Sequence, residues 1–162
     1  MNLPTPITPL LSWDIYSMHI MERQRFFTMK RDLEFLHTMA DKEEWNVDLV
    51  ASLSESYDAL VLTDANQVIQ WVNKGFTAMT GYDKKSALGR RPKFLQGEKT
   101  SSETTKRISE QLLEKKELSE TILNYRKSGE PYLCRVNIFP LKNKKNEVTH
   151  FLAVERELPL VA

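Results

Sequence analysis

Four polar side chains stand among apolar neighbours in the second half of the sequence: Gln96, Asn124, Cys134 and Glu155. Carboxyl and amide groups in apolar surroundings can hold a polar ligand through hydrogen bonds. A buried carboxylate is costly without a partner, so Glu155 either contacts a ligand or switch, or pairs with a Lys or Arg at its strand end. Asn124 and Gln96 either hold a polar ligand together or hydrogen-bond one another and the backbone.

The single cysteine, Cys134, is expected to behave as a small buried apolar side chain rather than as a reactive thiol. It cannot form an internal disulfide, and this cysteine usage fits a reducing cytosol. One Cys and three scattered His residues offer no metal-ligand spacing. We therefore expect no metal site and a cytoplasmic location.

The motifs of common enzyme classes are missing from the sequence. It contains no Gly-rich phosphate loop and no Ser or Cys nucleophile with an identifiable base, so we expect no catalytic residues and no enzyme activity. The 23 basic and 22 acidic residues give a net charge of +1, which provides no field for nucleic acid or an anionic membrane. No apolar run reaches the ~18 residues of a membrane span.

The polar candidates must be positioned by the short elements that begin at Tyr57. Alternating apolar residues and turn compositions predict two strands, a helical middle and three further strands, which is an α+β domain of five antiparallel strands. The strands are expected at Ala59–Asp64, Val68–Val72, Leu118–Arg126, Pro131–Leu141 and Glu147–Arg156. Two short helices and a longer one over Ser101–Lys116 are expected between the second and third strands.

A long helix is predicted before this domain, from about Leu10 to Asp41, because the stretch lacks Gly and Pro. A heptad-like stripe runs along it through Phe26, Met29, Leu33 and Leu36. The stripe packs either on the helix's own domain or on a second copy in a homodimer. We assign residues 1–56 to this extension and its linker, 57–158 to the domain and 159–162 to a tail.

Alternation along the last two strands places apolar side chains on both faces of the sheet. Cys134 and Val136 share the inward face of one strand, Phe151 and Glu155 that of the next, and Asn124 with Ile122 that of the third predicted strand. The helical middle covers one face. An apolar second face also needs a cover, and the N-terminal helix, from this chain or a partner, is the expected one.

The run Leu62-Thr-Asp64, then Val72-Asn73 and Met79-Thr-Gly-Tyr82, resembles the opening of a PAS domain. Downstream, Gly89-Arg-Arg-Pro-Lys-Phe-Leu-Gln-Gly97 and Leu123-Asn-Tyr-Arg-Lys-Ser-Gly129 resemble motifs of the flavin-binding LOV branch. The resemblance covers residues 57–158. It implies a PAS fold whose sheet and helical middle enclose a small-molecule pocket, used to sense a ligand, a redox state or light.

The resemblance also shows where this sequence departs from the LOV pattern. The position of the photoactive cysteine is Pro92, which has no nucleophile, so photoadduct formation is not expected. Among the positions that hold flavin in LOV domains, Gln96 and Asn124 match and Lys93 stands for an arginine. Four others differ, namely Arg91 for Asn, Cys134 for Asn, Glu155 for Gln and Ser109 for a phosphate-binding Arg, although Lys106 and Arg107 lie near Ser109. We therefore expect no cofactor, with flavin mononucleotide (FMN) as the alternative.

We expect a sensory and interaction PAS module in signal transduction, dimeric, acting on a signalling partner such as a kinase or regulator. The expected pocket residues are Phe94, Gln96, Ile122, Asn124, Cys134, Val136, Phe151 and Glu155. Two alternatives are a flavin-binding redox sensor without adduct chemistry and a purely structural interaction module. In the structural alternative Phe94, Leu95, Ile122, Tyr132, Val136, Ile138 and Phe151 fill the interior, and this number of large inward side chains predicts a small cavity.

Overall fold

The chain divides after Thr38 into two units. The structure, a computed structural model, describes residues 9–160, with side chains from residue 13 onward. Helix α1 (Pro9–Glu43) begins in the first unit and ends in the second, where Glu44 adopts the left-handed conformation with φ 55°. The predicted N-terminal helix is confirmed. Among the described helices, none has an apolar stretch of the length that a membrane span needs.

The predicted stripe of α1 changes in exposure along the helix. Phe26 is 65% exposed, Met29 and Leu33 are half-buried, and Leu36 is fully buried. Other large apolar side chains exposed on the same helix are Trp13, Ile15, Tyr16, Met18, Ile20, Met21 and Phe27. Only the N-terminal end of the predicted stripe is therefore exposed to solvent.

The second unit contains the predicted five-stranded antiparallel sheet. Its strands are β1 (Ala59–Asp64), β2 (Ile69–Val72), β3 (Leu118–Tyr125), β4 (Pro131–Lys142) and β5 (Val148–Leu158). The spatial order is β2-β1-β5-β4-β3, so the last strand pairs with the first and occupies the centre. In this register Glu155 lies opposite Ala59 on one side and Val136 on the other.

Side-chain hydrogen bonds define two of the turns between strands. In the β1–β2 turn, Asp64 Oδ1 accepts from the backbone N–H of Asn66 at 2.8 Å and of Val68 at 2.9 Å. In the β4–β5 turn, Asn143 Oδ1 accepts from the N–H of Lys145 and Glu147. Asx turns of this kind are why Asp and Asn are common in hairpin connections.

Short helices connect β2 to β3 and lie on the inward face of the sheet. They are α3 (Lys74–Thr80), α4 (Lys84–Ala87), a 3₁₀ turn (Pro92–Leu95) and α5 (Ser102–Leu113). A further short helix, α2 (Leu49–Ser52), precedes the sheet. The helical middle predicted from the sequence is confirmed.

Asn73 joins β1 to α3. Its side chain is 4% exposed, and its Oδ1 accepts at 3.0 Å from both the N–H of Phe76, as the helix cap, and the N–H of Leu60 in β1. Close approach of the backbones also requires Gly75, because a Cβ there would lie 1.8 Å from the carbonyl oxygen of Asp58. This junction fixes the helical middle to the sheet.

The second face of the sheet is buried as well. Leu60, Leu62 and Leu152 have no exposed surface, which confirms that apolar residues on both faces are covered. Within the second unit, the segment after α1 is attached to the β4–β5 hairpin. Trp45 Nε1 donates to Thr149 Oγ1 at 2.9 Å, and the Trp45 ring lies 5.0 Å from that of His150.

Asn73→Ala is expected to lower the free energy of unfolding by about 2–4 kcal/mol, because it removes a helix cap and leaves the buried N–H of Leu60 unpaired. Urea denaturation measures the loss. Asp83→Ala is the matched control, since Asp83 caps α4 through one exposed hydrogen bond to Ser86 N, and it should cost about 1 kcal/mol or less. Equal losses in the two variants would show that the hydrogen bond from the Leu60 N–H to Asn73 Oδ1 contributes nothing to stability.

Candidate functional site

A cavity of about 350 Å³ lies between the inward face of the sheet and the segment from Arg91 to Leu112. Its apolar lining comes from four strands, from the 3₁₀ turn and from α5: Val61, Pro92, Leu95, Ile108, Leu112, Ile122, Val136, Ile138, Phe151 and Ala153. This volume is at the lower end of the ~300–1,000 Å³ range of ligand pockets, so the cavity is small but the interior is not filled. Ala153 and Cys134 are small side chains, and two large ones counted as filling, Phe94 and Tyr132, are absent from the lining.

Seven of the eight expected pocket residues line this cavity: Gln96, Ile122, Asn124, Cys134, Val136, Phe151 and Glu155, together with Pro92. Phe94 does not. It lies in the 3₁₀ turn, whose three-residue period aligns Pro92 with Leu95 toward the cavity and turns Phe94 to another side. There its ring lies 4.9 Å from Tyr82 and 3.8 Å from the guanidinium carbon of Arg90.

Glu155 presents a buried carboxyl group to the cavity from the central strand. The residue is 6% exposed, and its Oε2 has no hydrogen-bond partner within the described chain. Burial raises the pKa of Glu155 to about 7. The carboxyl therefore exchanges its proton in the neutral range, where an ordinary glutamate is fully ionised.

The expected alternative, a Lys or Arg that pairs with Glu155, is not found among the described residues. The Arg126 guanidinium lies 4.8 Å from the Tyr132 ring at the same end of the sheet, but its N–H groups are engaged elsewhere. They donate to Glu130, to Glu157 and to the backbone carbonyl of Met79. Nothing in this arrangement neutralises the Glu155 carboxylate.

Two further groups beside Glu155 are buried in their uncharged forms. The Tyr132 hydroxyl has no hydrogen-bond partner in the described chain, although the Asn124 amide lies beside it. Burial, and then the charge of Glu155, raises the pKa of Tyr132 and also that of Cys134. The Cys134 Sγ lies 3.6 Å from the carbonyl oxygen of Arg135, to which it donates. The thiol is therefore not a thiolate, as expected for a buried cysteine.

Charged and polar side chains also line the cavity. Exposed Arg91 and Lys93 contribute to the lining, and Thr105 and Ser109 face it from α5. The two cations near Ser109 are not part of the lining. Arg107 Nε donates to Glu120 at 3.0 Å, and Lys106 lies 3.8 Å from Glu110.

The sequence reasoning missed three polar lining residues, Thr63, Gln67 and Thr105, and named a fourth, Ser109, only through the LOV resemblance. The pair on α5 had a detectable signal, because Thr105, Ile108, Ser109 and Leu112 follow helical spacing and form one face. Gln67 had none. It lies in the β1–β2 turn with φ 65°, and its direction depends on that turn conformation.

Residues 58–158 match the family model described as PAS domain. The chain belongs to the PAS domain family. The match spans all five strands and the helices between them, so the resemblance seen in the sequence motifs is confirmed.

The relatives of this PAS domain include LOV proteins. The chain is 30% identical over 118 residues to blue-light-activated histidine kinase 2 of Erythrobacter litoralis, covering 73% of this chain and 33% of the relative. It is 31% identical over 100 residues to the nitrogen fixation regulatory protein of Klebsiella oxytoca, covering 62% of this chain and 20% of the relative. The chain thus spans a third or less of these curated relatives.

A solved structure shows which part of such a kinase is similar. The LOV domain of a blue-light activated histidine kinase from Erythrobacter litoralis superposes with a TM-score of 0.61 at 30% identity. The alignment covers 65% of this chain and 100% of that domain. This PAS domain therefore resembles the LOV domain itself.

Glu155→Gln should stabilise the protein increasingly as pH rises. The pKa of Glu155 is raised in the folded state, so ionisation opposes folding, with a penalty that grows from the unfolded value of ~4.3 up to about 7 and is then constant. Between about pH 5 and pH 8.5, the free energy of unfolding of the variant should gain about 2–3 kcal/mol relative to the wild type.

Chemical denaturation at both pH values measures this difference. Other groups such as His150 are present in both proteins, so their contributions to the free energy of unfolding cancel. Exposed Glu98 provides the control, since Glu98→Gln should show no such change. A difference for Glu155→Gln that does not vary with pH would mean that the carboxyl titrates normally.

Proposed function

We propose that this PAS domain is a sensory and interaction module that binds a small molecule in its cavity and passes the change to another protein through contacts. Residues 57–158 form the sensing module and residues 1–56 the extension that transmits. The observation that carries the proposal is a cavity of about 350 Å³ in which Glu155 Oε2 lacks a partner. A ligand that contacts this group would favour one conformation over another and so shift a population.

The lining supports sensing without a flavin–thiol adduct. Pro92, which stands at the photoactive position implied by the LOV resemblance, lines the cavity. The single sulfhydryl, Cys134, faces the cavity from β4, and burial raises its pKa. A thiol in this state is a poor nucleophile.

The relatives support a role in signal transduction. Two of them are named as a histidine kinase and as a regulatory protein. The partner of this chain is then a kinase or another regulator in the cytoplasm, which the module contacts without catalysing a reaction itself.

A flavin redox sensor is the second candidate, because Gln96, Asn124 and Lys93 all line the cavity. Glu155 and Cys134 weigh against it. The LOV pattern has amide side chains at these two positions, and amides both donate and accept hydrogen bonds. Glu155 and Cys134 supply a carboxyl and a thiol instead. A structural module with a filled interior is disfavoured by the volume of the cavity.

Absorption spectroscopy under blue light tests the proposal. The freshly purified chain should show protein absorption without flavin bands, and no flavin bands should remain after incubation with FMN and removal of the unbound dye. Cys134→Ser is the control for any thiol reaction. Flavin bands that bleach under blue light and recover in the dark would overturn the proposal, and retained flavin that changes only on chemical reduction would establish the redox sensor instead.

The same proposal includes a homodimer through α1, in which the exposed end of the stripe meets a second copy. Phe26→Glu should weaken self-association at tens of micromolar concentration by about tenfold or more, because Phe26 is 65% exposed and an aromatic anchor would be lost. Analytical ultracentrifugation measures the change. Leu113→Glu, at a 78% exposed position of α5, should have no effect. A monomeric wild type would contradict the dimer.

A further inference from the structure

The Glu155 carboxyl has two properties that together restrict the ligand. It lines the cavity while 94% of its surface is buried, and its Oε2 has no hydrogen-bond partner among the described residues. A protonated carboxyl offers one donor and one acceptor, and an ionised one offers two acceptors. A complementary ligand therefore presents a polar group that can hydrogen-bond to this carboxyl in either state.

The groups around Glu155 leave its charge to be balanced by the ligand. Cys134 and Tyr132 on β4 are close enough to feel that charge, and both are buried in uncharged form. Asp58, before β1, and Glu157, on β5, are acidic. Arg126, directly after β3, is bound to Glu130 and Glu157.

Two cations of the lining also restrict the ligand. Arg91 and Lys93 line the cavity, and both are exposed. A ligand with a permanent positive charge would be repelled there. A neutral ligand with a basic nitrogen enters without that repulsion and becomes cationic only at Glu155.

We propose that the cavity binds a planar, mostly apolar heterocycle carrying an amino group beside a basic ring nitrogen, with that edge on the Glu155 carboxyl. The inference rests on the proposed function, that the cavity takes a small molecule. The carboxyl O–H bond breaks and an N–H bond forms on the ring nitrogen, so the proton moves between partners and none is lost. The amino N–H donates to the second carboxyl oxygen in either state.

Size and chemistry both fit this class. A cavity of about 350 Å³ is at the lower end of the ~300–1,000 Å³ range of ligand pockets and suits a bicyclic ring. An amide side chain at this position would pair with the lactam edge of a ligand. Such an edge donates one hydrogen bond and accepts one without changing its charge. A carboxyl is the better partner where the ligand accepts a proton, because the resulting ion pair has charge-assisted hydrogen bonds.

Three probes of nearly equal shape test the inference on the full chain: 2-aminoquinoline, quinolin-2-one and 2-methylnaphthalene. Titration calorimetry gives their affinities for the wild type and for Glu155→Gln. The wild type should bind the aminoquinoline about tenfold or more tightly than the quinolone, and the variant should lose that preference. Glu98→Gln, the same change at an exposed position outside the cavity lining, should keep it.

The absorption spectrum of the bound aminoquinoline provides a second readout. At a pH where the free probe is neutral, the bound probe should show the spectrum of its protonated form in the wild type and of its neutral form in Glu155→Gln. Equal binding of all three probes, unchanged by Glu155→Gln, would overturn the inference and leave the ligand-binding function standing. Failure of every probe to bind would overturn the inferred ligand class, whereas the proposed function is tested separately by the absorption experiment with FMN above.

Discussion

Strand β5 occupies the middle of the sheet, hydrogen-bonded to β1 along one edge and to β4 along the other. Because side chains alternate along a strand, this one register places Phe151 and Glu155 on the cavity face and Leu152 on the opposite buried face. A slip of one residue would exchange the two faces and remove the carboxyl from the cavity. The helices between β2 and β3 must therefore cover Glu155. The junction at Asn73 fixes these helices to the sheet.

Much of this arrangement follows from local patterns in the sequence. The strands alternate, their turns have Asp, Asn and Gly at the required positions, and the amphipathic helix has a clear spacing, so the sheet and its faces could be predicted. Asn124, Cys134 and Glu155 were placed inward by period-two alternation alone, and the structure agrees. Each of these inferences needs only the geometry of one element.

The features that could not be predicted depend on contacts between elements or on irregular backbone. Phe94 lies in a 3₁₀ turn, where neither the helical nor the strand period applies, and it turns away from the cavity. Whether Glu155 has a counter-charge depends on where Arg126 points, and that guanidinium binds Glu157 instead. The cavity volume is the space left by all lining residues together, so counting large side chains cannot give its value.

Ligand binding at this site depends on a carboxyl that is buried in a ligand-sized cavity without a compensating charge. The most direct test is a carbon-13 NMR titration of the Glu155 side-chain carboxyl in the full chain, assigned by comparison with Glu155→Gln. The account predicts a midpoint pKa near 7, because burial raises it. A midpoint near the ordinary ~4.3 would contradict it, since the carboxylate would then be solvated or paired.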